Sequence, residues 1–204
     1  MTRFAALGSV AVLALAGCKG PAEPAPAAPE APAAPEAPAA VVATEAPAAD
    51  QLTAEGFGAI RVGQTIAEVE QAYGAPAKPI ADPNGCNVFH PARAPEGVWV
   101  MTEEGKVSRI TLRDGASATT DRALGLGAPA AAVKQAYGAA AQVSPHKYES
   151  APSEYVTVWS GGPRSEPYVT DAAARGLRYE VGADGKVQAI HGGGPSIQLV
   201  ESCG

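Results

Sequence analysis

Three adjacent residues combine side chains suited to binding an anion. His146, Lys147 and Tyr148 bring together a titratable imidazole, a cation and a phenol, in a stretch without the periodicity of a helix or a strand. With Arg109, or alternatively Arg178, beside them, they would form a binding site for a carboxylate. The competing interpretation makes Tyr148 an ordinary core aromatic residue and His146 a surface residue. The predicted binding residues are therefore Arg109, His146, Lys147 and Tyr148.

No catalytic or metal-binding motif accompanies this cluster in the sequence. The histidines His90, His146 and His191 are not paired at ligand spacing, and neither His-Glu-x-x-His nor Cys-x-x-Cys occurs. The nucleophile motif Gly-x-Ser-x-Gly is also absent, although His191 begins a His-Gly-Gly-Gly run like that of lipase oxyanion loops. We therefore predict no catalytic residue, metal or cofactor. The glycine run is interpreted as a turn before a last strand at 196–200.

The three cysteines have different predicted fates. Cys18 closes the sequence Leu-Ala-Gly-Cys, a lipobox in which the thiol is acylated and the chain is cut just before it. Cys86 and Cys203 then remain in a compartment beyond the reducing cytoplasm, where disulfides persist. We predict that these two cysteines form a disulfide. The alternative is two separately buried thiols.

The N-terminus has the pattern of an export signal. Arg3 supplies the positive charge, and residues 4–16 form an apolar run that is shorter than the roughly 20 residues of a membrane-spanning helix. The pattern predicts a lipoprotein signal peptide at 1–17, with an ordinary secretory peptide as the alternative. Acyl chains on Cys18 would then anchor the protein in the cell envelope. Lys19, in a position where aspartate would retain the protein at the inner membrane, favours the periplasmic side of an outer membrane.

Residues 18–50 are predicted to be a lipidated, disordered, Pro/Ala-rich tether. Their composition is almost entirely Pro, Ala, Glu and Val, without the apolar periodicity that a core requires. Frequent prolines favour an extended chain of about 3.1 Å per residue, so the tether would reach on the order of 90 Å from the membrane. It would hold the folded domain away from the bilayer or, alternatively, act as a passive spacer.

Charge and hydropathy exclude two classes of partner. The chain carries 15 Lys and Arg against 21 Asp and Glu, a formal net charge of −6, and loss of Arg3 with the signal peptide makes it more negative. Without basic clusters, counterion release cannot drive binding to nucleic acid. No later apolar run is long enough for a second membrane segment, so the lipid on Cys18 is the predicted membrane contact.

An internal repeat divides the globular region 51–204 into two copies, at about 51–115 and 116–204. Residues 61–75 align without gaps on 125–139, and Gly-Lys-Val at 105–107 recurs at 185–187. The matched pairs in the first alignment are Gly63/Gly127, Val69/Val133, Gln71/Gln135, Tyr73/Tyr137 and Gly74/Gly138. The second copy carries an insertion around 143–162, a place where a repeat scaffold often holds a function of its own.

Each copy is predicted to be a short helix packed on an antiparallel β-meander, which makes the fold α+β. Thr65 and Glu68 form a capping box before the first helix, and Pro129 takes the first position of the second helix. Glu104-Gly105 and Asp184-Gly185 are predicted as tight two-residue hairpin turns. The predicted strands span 86–90, 97–102, 106–112, 155–160, 176–181 and 186–191.

Two resemblances cover most of residues 57–203. The sequence Phe-Gly-Ala-Ile-Arg-Val-Gly-Gln-Thr at 57–65 resembles the helix-start motif of SmpA/OmlA-type outer-membrane assembly lipoproteins and of β-lactamase inhibitor proteins, which carry two such units in tandem. Gln64 and the Ala-Pro pair at 128–129 depart from those families, which have Met and Met-Thr there. The order of several short motifs is more similar to an uncharacterised family of secreted bacterial two-repeat domains. Those motifs are Gly-Phe-Gly-Ala-Ile-Arg-Val-Gly at 56–63, Cys86, Arg109-Ile110, Tyr137-Gly138, 145–148 and 201–203.

The resemblance implies a binding protein rather than an enzyme. We expect a lipid-anchored envelope protein that acts as a scaffold component or inhibitor by binding another envelope protein. The sheet face or the groove between the copies would be its binding surface. Two alternatives remain open, a periplasmic small-ligand-binding protein and a small hydrolase. A polar cleft would favour a small ligand, whereas a flat apolar patch would favour a protein partner.

Overall fold

The computed structural model describes residues 51–203, which form an α+β fold that is mostly β-sheet, as predicted at that level. The predicted signal peptide at 1–17, Cys18 and the tether lie outside the described residues. The helices are α1 (Ile66–Tyr73) and α2 (Ala130–Tyr137), and 3-10 helices span Gly138–Ala140 and Pro195–Gln198. The strands are β1 (Gln51–Thr53), β2 (Gly56–Phe57), β3 (Ile60–Arg61), β4 (Asn87–Phe89), β5 (Val98–Glu103), β6 (Lys106–Leu112), β7 (Thr119–Thr120), β8 (Gln142–Pro145), β9 (Glu154–Trp159), β10 (Gly176–Val181) and β11 (Val187–Gly193).

Seven of these strands form one antiparallel sheet with the order β4-β5-β6-β11-β10-β9-β8. The central pair is β6 and β11, with Thr111 opposite His191. On each side of this pair, a hairpin partner and then a further strand follow in mirrored order, and β8 adds an extra edge strand. A smaller sheet has the order β3-β2-β1-β7, in which β1 and β7 are parallel.

Both helix starts are attached to the large sheet in the same way. Before α1, Gly63 N–H donates to Val107 O at 2.7 Å, and Val107 N–H donates to Gln64 O at 2.8 Å. Before α2, Gly127 N–H donates to Val187 O at 2.8 Å, and Val187 N–H donates to Ala128 O at 2.9 Å. The residues of one ladder occupy the positions that the repeat alignment pairs with those of the other, although Gln64 and Ala128 differ in type.

The two helices differ in how they begin. Thr65 and Glu68 form the predicted capping box, and the Thr65 side chain accepts from Glu68 N–H at 3.3 Å. Pro129 is the N-cap of α2 rather than its first helical residue, so that prediction is wrong. The reason is that Pro129 is extended and bridges to Lys186, while Ala130 N–H donates to Gly185 O at 3.0 Å.

The hairpin turns also differ from each other. Glu104 and Gly105 both have positive φ, at 51° and 74°, and they form the predicted two-residue turn between β5 and β6. The turn predicted at Asp184-Gly185 is instead a longer loop at 182–186, in which Gly182 N–H donates to Lys186 O at 3.0 Å. Strand bounds follow the predictions, and β6 and β10 match them at both ends.

The predicted last strand at 196–200 is wrong, because this segment contains the 3-10 helix Pro195–Gln198. Gly192 and Gly193 belong to β11 instead of a turn. A Cβ at Gly192 would lie 2.5 Å from Thr53 O, and one at Gly193 would lie 2.4 Å from Ser108 O. Glycine therefore allows other backbone segments to approach β11 closely, after which the chain leaves the sheet.

Only part of the predicted insertion at 143–162 is extra relative to the other half of the large sheet. Its second part is β9, which pairs with β10 in the register that β4 has with β5. Strand β9 therefore belongs to the mirrored arrangement of the sheet. The strand of this insertion that has no counterpart on the other side of the sheet is β8.

One face of the large sheet packs against the helices to form the core. Val69 of α1 and Val133 of α2 are fully buried, and both belong to the main apolar cluster with Val100, Ile110 and Ile190 of the sheet. The opposite face, which we call the open face, is not covered by either α-helix. It carries the candidate site.

Candidate functional site

A row of polar and aromatic side chains crosses the open face at the middle of the sheet. The hydrogen-bond register places Trp99 opposite Thr111, Thr111 opposite His191, and His191 opposite Arg178. Directly paired residues of adjacent strands point to the same side of a sheet. The four strands β5, β6, β11 and β10 therefore each contribute one side chain to this row.

A cavity of about 300 Å³ lies on the open face around this row. One side of it has apolar and aromatic residues from β4 and β5, and the other side has polar residues from β10 and β11. Exposed Val88 and Val200 lie at its rim. The lining residues include Trp99, Met101, Arg109, Thr111, Arg113, Glu180, Gln188 and His191.

Two buried arginines hold the C-terminal tail (residues 194–203) on the open face. Arg109 Nη1 donates to Ser196 O at 3.1 Å and to Leu199 O at 2.9 Å. Arg178 Nη1 donates to Gln198 O at 2.5 Å and to Ile197 O at 3.4 Å. Four consecutive carbonyls are thus bonded to the two guanidinium groups, which satisfies acceptors at the end of the 3-10 helix.

Arg109 therefore has a structural role that the sequence did not reveal. It is 3% exposed, and burial lowers its pKa to about 10, which leaves the guanidinium charged at neutral pH. Its Nη2 also donates to the Ser202 hydroxyl. Its Nε has no hydrogen-bond partner among residues 51–203, and the same is true of Arg178 Nε.

The predicted disulfide between Cys86 and Cys203 is confirmed. Both cysteines are exposed, so the bond lies at the surface instead of within the core. It joins the residue before edge strand β4 to the end of the tail. Ile197, which is fully buried against Trp159, Val169 and Ala174, fixes the other part of the tail.

His191 and Glu180 form the electrostatic centre of the cavity. The Thr111 hydroxyl and His191 Nδ1 are hydrogen-bonded at 2.9 Å, and His191 Nε2 lies 3.6 Å from Glu180 Oε2. Burial lowers the pKa of His191 to about 4, and the cations Arg109 and Arg178 add to this effect. The imidazole is therefore neutral at pH 7.

Glu180 is ionised at the same pH. The contact with His191, more than the hydrogen bond from His146, lowers the pKa of the Glu180 carboxyl to about 2, while burial opposes this effect. Thr111, His191 and Glu180 together have the residue types of a hydroxyl nucleophile, a base and an orienting acid. However, the 3.6 Å between imidazole and carboxylate is too long for the hydrogen bond that would orient the base.

The structure places the four predicted binding residues in two separate environments. His146 Nε2 donates to Glu180 Oε1 at 3.2 Å, and its Nδ1 accepts from the backbone N–H groups of Tyr148 and Glu149 at 3.2 and 3.1 Å. Its ring stacks on Tyr155 with centroids 4.7 Å apart. His146 thus connects its loop to the sheet.

Lys147 and Tyr148 lie outside the cavity. Lys147 is exposed, and Tyr148 is 64% exposed, with its hydroxyl donating to Glu201 of the tail. The competing interpretation is wrong for both side chains, because Tyr148 is not a core residue and the His146 side chain is largely buried. Of the predicted residues, Arg109 lines the cavity itself, and His146 contacts the cavity residue Glu180.

The apolar side of the cavity was not among the predicted binding residues. The Arg113 guanidinium lies over the Trp99 ring, 4.5 Å from its centroid, and the His90 ring centroid lies 5.8 Å from that of Trp99, with the rings tilted by 56°. On β10, Arg178 and Glu180 alternate with the buried Leu177 and Tyr179. This alternation is a signal in the sequence that places both charges on the open face.

Among residues 51–203, no group of three or more His, Cys, Asp and Glu side chains is placed to hold a metal ion. Within the same part of the chain, no helix is long and apolar enough to cross a membrane. Comparison of the chain with protein-family models, with curated proteins and with solved structures finds no match.

Proposed function

We propose that this chain is a lipid-anchored binding protein of the bacterial envelope, which binds a protein partner through the open face. The observation that carries the proposal is the cavity on that face, which has an apolar, aromatic side and a polar side. A partner side chain in it would contact Trp99 and Met101 on one side and the charged groups around Glu180 on the other.

The chemistry of the cavity fits an anchoring side chain. Tryptophan and arginine are enriched among residues that dominate binding energy, in desolvated pockets with a surrounding rim. Trp99 and Arg113 are stacked in advance, so little conformational entropy is lost on binding. Val88 and Val200, which are 36% and 39% exposed, provide apolar contact at the rim.

A tandem duplication accounts for the shape of this surface. The two helix-to-hairpin ladders use aligned residues, and both hairpins have a register shift at the same place, after Met101 and after Glu180. In this proposal each copy is a helix packed on a meander, and the copies meet at β6 and β11. The cavity then lies where the copies join.

The lipid anchor follows from the sequence. Cys18 in its lipobox would be acylated, and Lys19 favours the outer membrane, facing the periplasm. Labelling with radioactive palmitate should mark the wild-type protein and not a Cys18→Ser variant. A labelled Cys18→Ser variant, or an unlabelled wild-type protein, would contradict the anchor.

A small ligand is the second candidate, favoured by the polar groups that line the cavity. A volume of about 300 Å³ lies at the lower end of the range for ligand pockets. Native mass spectrometry of the protein purified from its envelope should then show a bound mass. That mass should be lost in a Gln188→Trp variant, whose exposed strand position allows the larger ring to enter the cavity.

The partner proposal is tested by photocrosslinking in cells. A photoreactive residue at Gln188, which lines the cavity, should crosslink one envelope protein, whereas the same residue at exposed Val143 on β8 should not. Both are exposed strand positions in the same sheet, so Val143 controls for proximity. Equal crosslinking from both positions, or none from Gln188, would contradict the proposal.

A further inference from the structure

We propose that a second cavity, on the β8 side of the open face, binds a small molecule with one carboxylate through Arg178. We call it the side cavity. It is separate from the cavity around Trp99, because no described residue lines both. The inference does not depend on a protein partner.

The sheet register places the floor of the side cavity on the open face. Arg178 of β10 lies opposite Thr157 of β9, and Thr157 lies opposite Gln142 of β8. Directly paired residues of neighbouring strands point to the same side of a sheet, so these three residues continue the row that begins at Trp99. The volume of the side cavity is about 390 Å³, which is enough for a small organic molecule.

Two glutamines fix the ends of the loop at 164–169, which forms a wall of the side cavity. At one end, Arg164 N–H donates to Gln142 Oε1 at 2.9 Å, and Gln142 Nε2 donates to Arg164 O at 2.6 Å. At the other end, Val169 N–H donates to Gln198 Oε1 and Gln198 Nε2 donates to Val169 O, both at 2.9 Å. The wall is therefore ordered before a ligand arrives, which lowers the entropy cost of binding.

Arg178 has hydrogen-bond donors that the described residues do not use. A guanidinium carries five N–H groups, and the two on Nη1 donate to Ile197 O and Gln198 O. Nε is buried without a partner among residues 51–203, and Nη2 donates no hydrogen bond within the same range. Arg178 is 8% exposed, so these are unused donors of a buried side chain. An anion in the side cavity would accept hydrogen bonds from Nη2.

The positive charge of the side cavity is not balanced by the residues around it. Within the described part of the chain, neither Arg178 nor Arg164 forms an ion pair with a carboxylate. The described lining residues include these two arginines and one acid, the exposed Glu166. Burial lowers the pKa of Arg178, and Tyr155 and Glu180 oppose this effect only in part. A bound anion would offset the cost of the buried charge.

A third cavity, of about 380 Å³, has balanced charges instead. Its described charged lining residues are one acid and one base, Asp121 and Arg122. The Arg122 guanidinium lies over the Tyr137 ring, 5.2 Å from its centroid, much as Arg178 lies over Tyr155 at 3.7 Å. Arg122 is therefore a matched control, because it is an arginine on a tyrosine ring in a cavity without excess charge.

The lining residues favour a carboxylate with a flat, apolar body. One net positive charge suits a monoanion, and the planar guanidinium matches a planar carboxylate. Ser144 and Thr157 contribute hydroxyl groups, and the exposed Pro167 and Tyr168 provide apolar contact at the rim. Benzoate combines these two features and is the probe for the side cavity. Benzamide has the same shape without the charge and is its control.

NMR titration of the full lipoprotein in detergent tests this inference. Benzoate should shift the Arg178 Nε–H signal and the backbone amide signals of Arg164 and Val169 until saturation. Benzamide should bind at least about tenfold more weakly, because it lacks the charge. Arg178→Met should abolish the benzoate shifts, but it also removes hydrogen bonds to the tail.

Two further variants leave the tail contacts intact. Arg164→Met keeps the backbone hydrogen bonds to Gln142 and should weaken benzoate binding about tenfold, because one cation is lost. Thr157→Val keeps the shape of the floor and should weaken binding about threefold, because a hydroxyl donor is lost. The control Arg122→Met should leave the affinity for benzoate unchanged.

Three results would overturn the inference: no saturable shifts with benzoate, equal affinities for benzoate and benzamide, or equal losses in Arg164→Met and Arg122→Met. Benzoate shifts confined to Trp99 and Thr111 would overturn it as well, because the ligand would then lie in the other cavity. Displacement of benzoate by an equal concentration of inorganic phosphate would contradict the assignment to carboxylates.

Discussion

The two halves of the large sheet have the same hydrogen-bond register but different chemistry on the open face. Strands β4, β5 and β6 on one side correspond to β9, β10 and β11 on the other. On the core face the corresponding residues are all apolar: Val98 and Leu177, Val100 and Tyr179, and Ile110 and Ile190. On the open face they differ: Val88 and Tyr155, Trp99 and Arg178, Met101 and Glu180, Arg109 and Ala189, and Thr111 and His191.

This difference shows that the fold requires apolar residues at the core-face positions but allows different residue types at the open-face positions. Burial against the helices requires apolar side chains at both sets of core positions. No α-helix packs on the open face, and its two halves carry walls of different chemistry, with Trp99 and Met101 on one and Arg178 and Glu180 on the other. The cavity has both kinds of wall because it lies where the halves meet.

The disulfide should contribute the largest single effect on stability. It closes a separation of 117 residues between the first half and the tail, for which the chain-entropy model gives about 4 to 5 kcal/mol. A double Cys86→Ser, Cys203→Ser variant should therefore lose about 4 kcal/mol of unfolding free energy in urea. A loss under about 1 kcal/mol would show that the arginines hold the tail without it.

Substitution of the two buried arginines should cause the next largest loss of unfolding free energy. Arg109→Met or Arg178→Met removes charged donors from carbonyls of the tail, and each should lower the unfolding free energy by about 2 to 3 kcal/mol. Arg113→Met is the matched control, because its side chain is 41% exposed and stacks on Trp99, and it should cost under about 1 kcal/mol. Equal losses at Arg109 and Arg113 would contradict the structural role of Arg109.

His191 should make the free energy of unfolding depend on pH, because its imidazole titrates. Its cross-strand partner Thr111 has no group that titrates in this range. The folded pKa of His191, about 4, lies below the unfolded value of 6.5, so the unfolded state binds a proton first as the pH falls. Stability should therefore decrease from pH 6.5 to 4 in urea titrations. His191→Thr, which makes the central pair two threonines, should remove this decrease.

Glu180 should affect the free energy of unfolding at lower pH than His191 does. Its folded pKa of about 2 lies below the usual value of 4.5, so its contribution is present above pH 4.5 and is lost as the pH falls toward 2. Glu180→Gln should flatten the stability curve in that range while the decrease between pH 6.5 and 4 remains. A curve unchanged below pH 4.5 would contradict the assigned ionisation.

The helix caps should give the smallest difference between the halves. Thr65→Ala removes a side-chain cap and should cost about 1 kcal/mol. Pro129 makes no side-chain cap hydrogen bond, so the corresponding Pro129→Ala change should cost less than Thr65→Ala. Urea unfolding of both variants measures the difference, and equal costs would show that the capping box contributes little.

The sequence predicts the sheet better than the site. Alternation in β5, β6 and β10 and the Thr65 capping box are local signals, and the corresponding elements are at the predicted places. The tail was predicted as a strand because its 3-10 helix depends on arginines about 20 and 90 residues away. His146 and Glu180 are likewise 34 residues apart, so no local spacing reveals their hydrogen bond.

Binding by the cavity is tested most directly with two exposed valines. Val200 lies at the cavity rim, and Val143 lies on edge strand β8 away from it. In cells that carry the Gln188 photocrosslinker, Val200→Asp should reduce the partner adduct by about tenfold, whereas Val143→Asp should leave it unchanged. Equal adduct yields from the two aspartate variants would contradict binding at the open face.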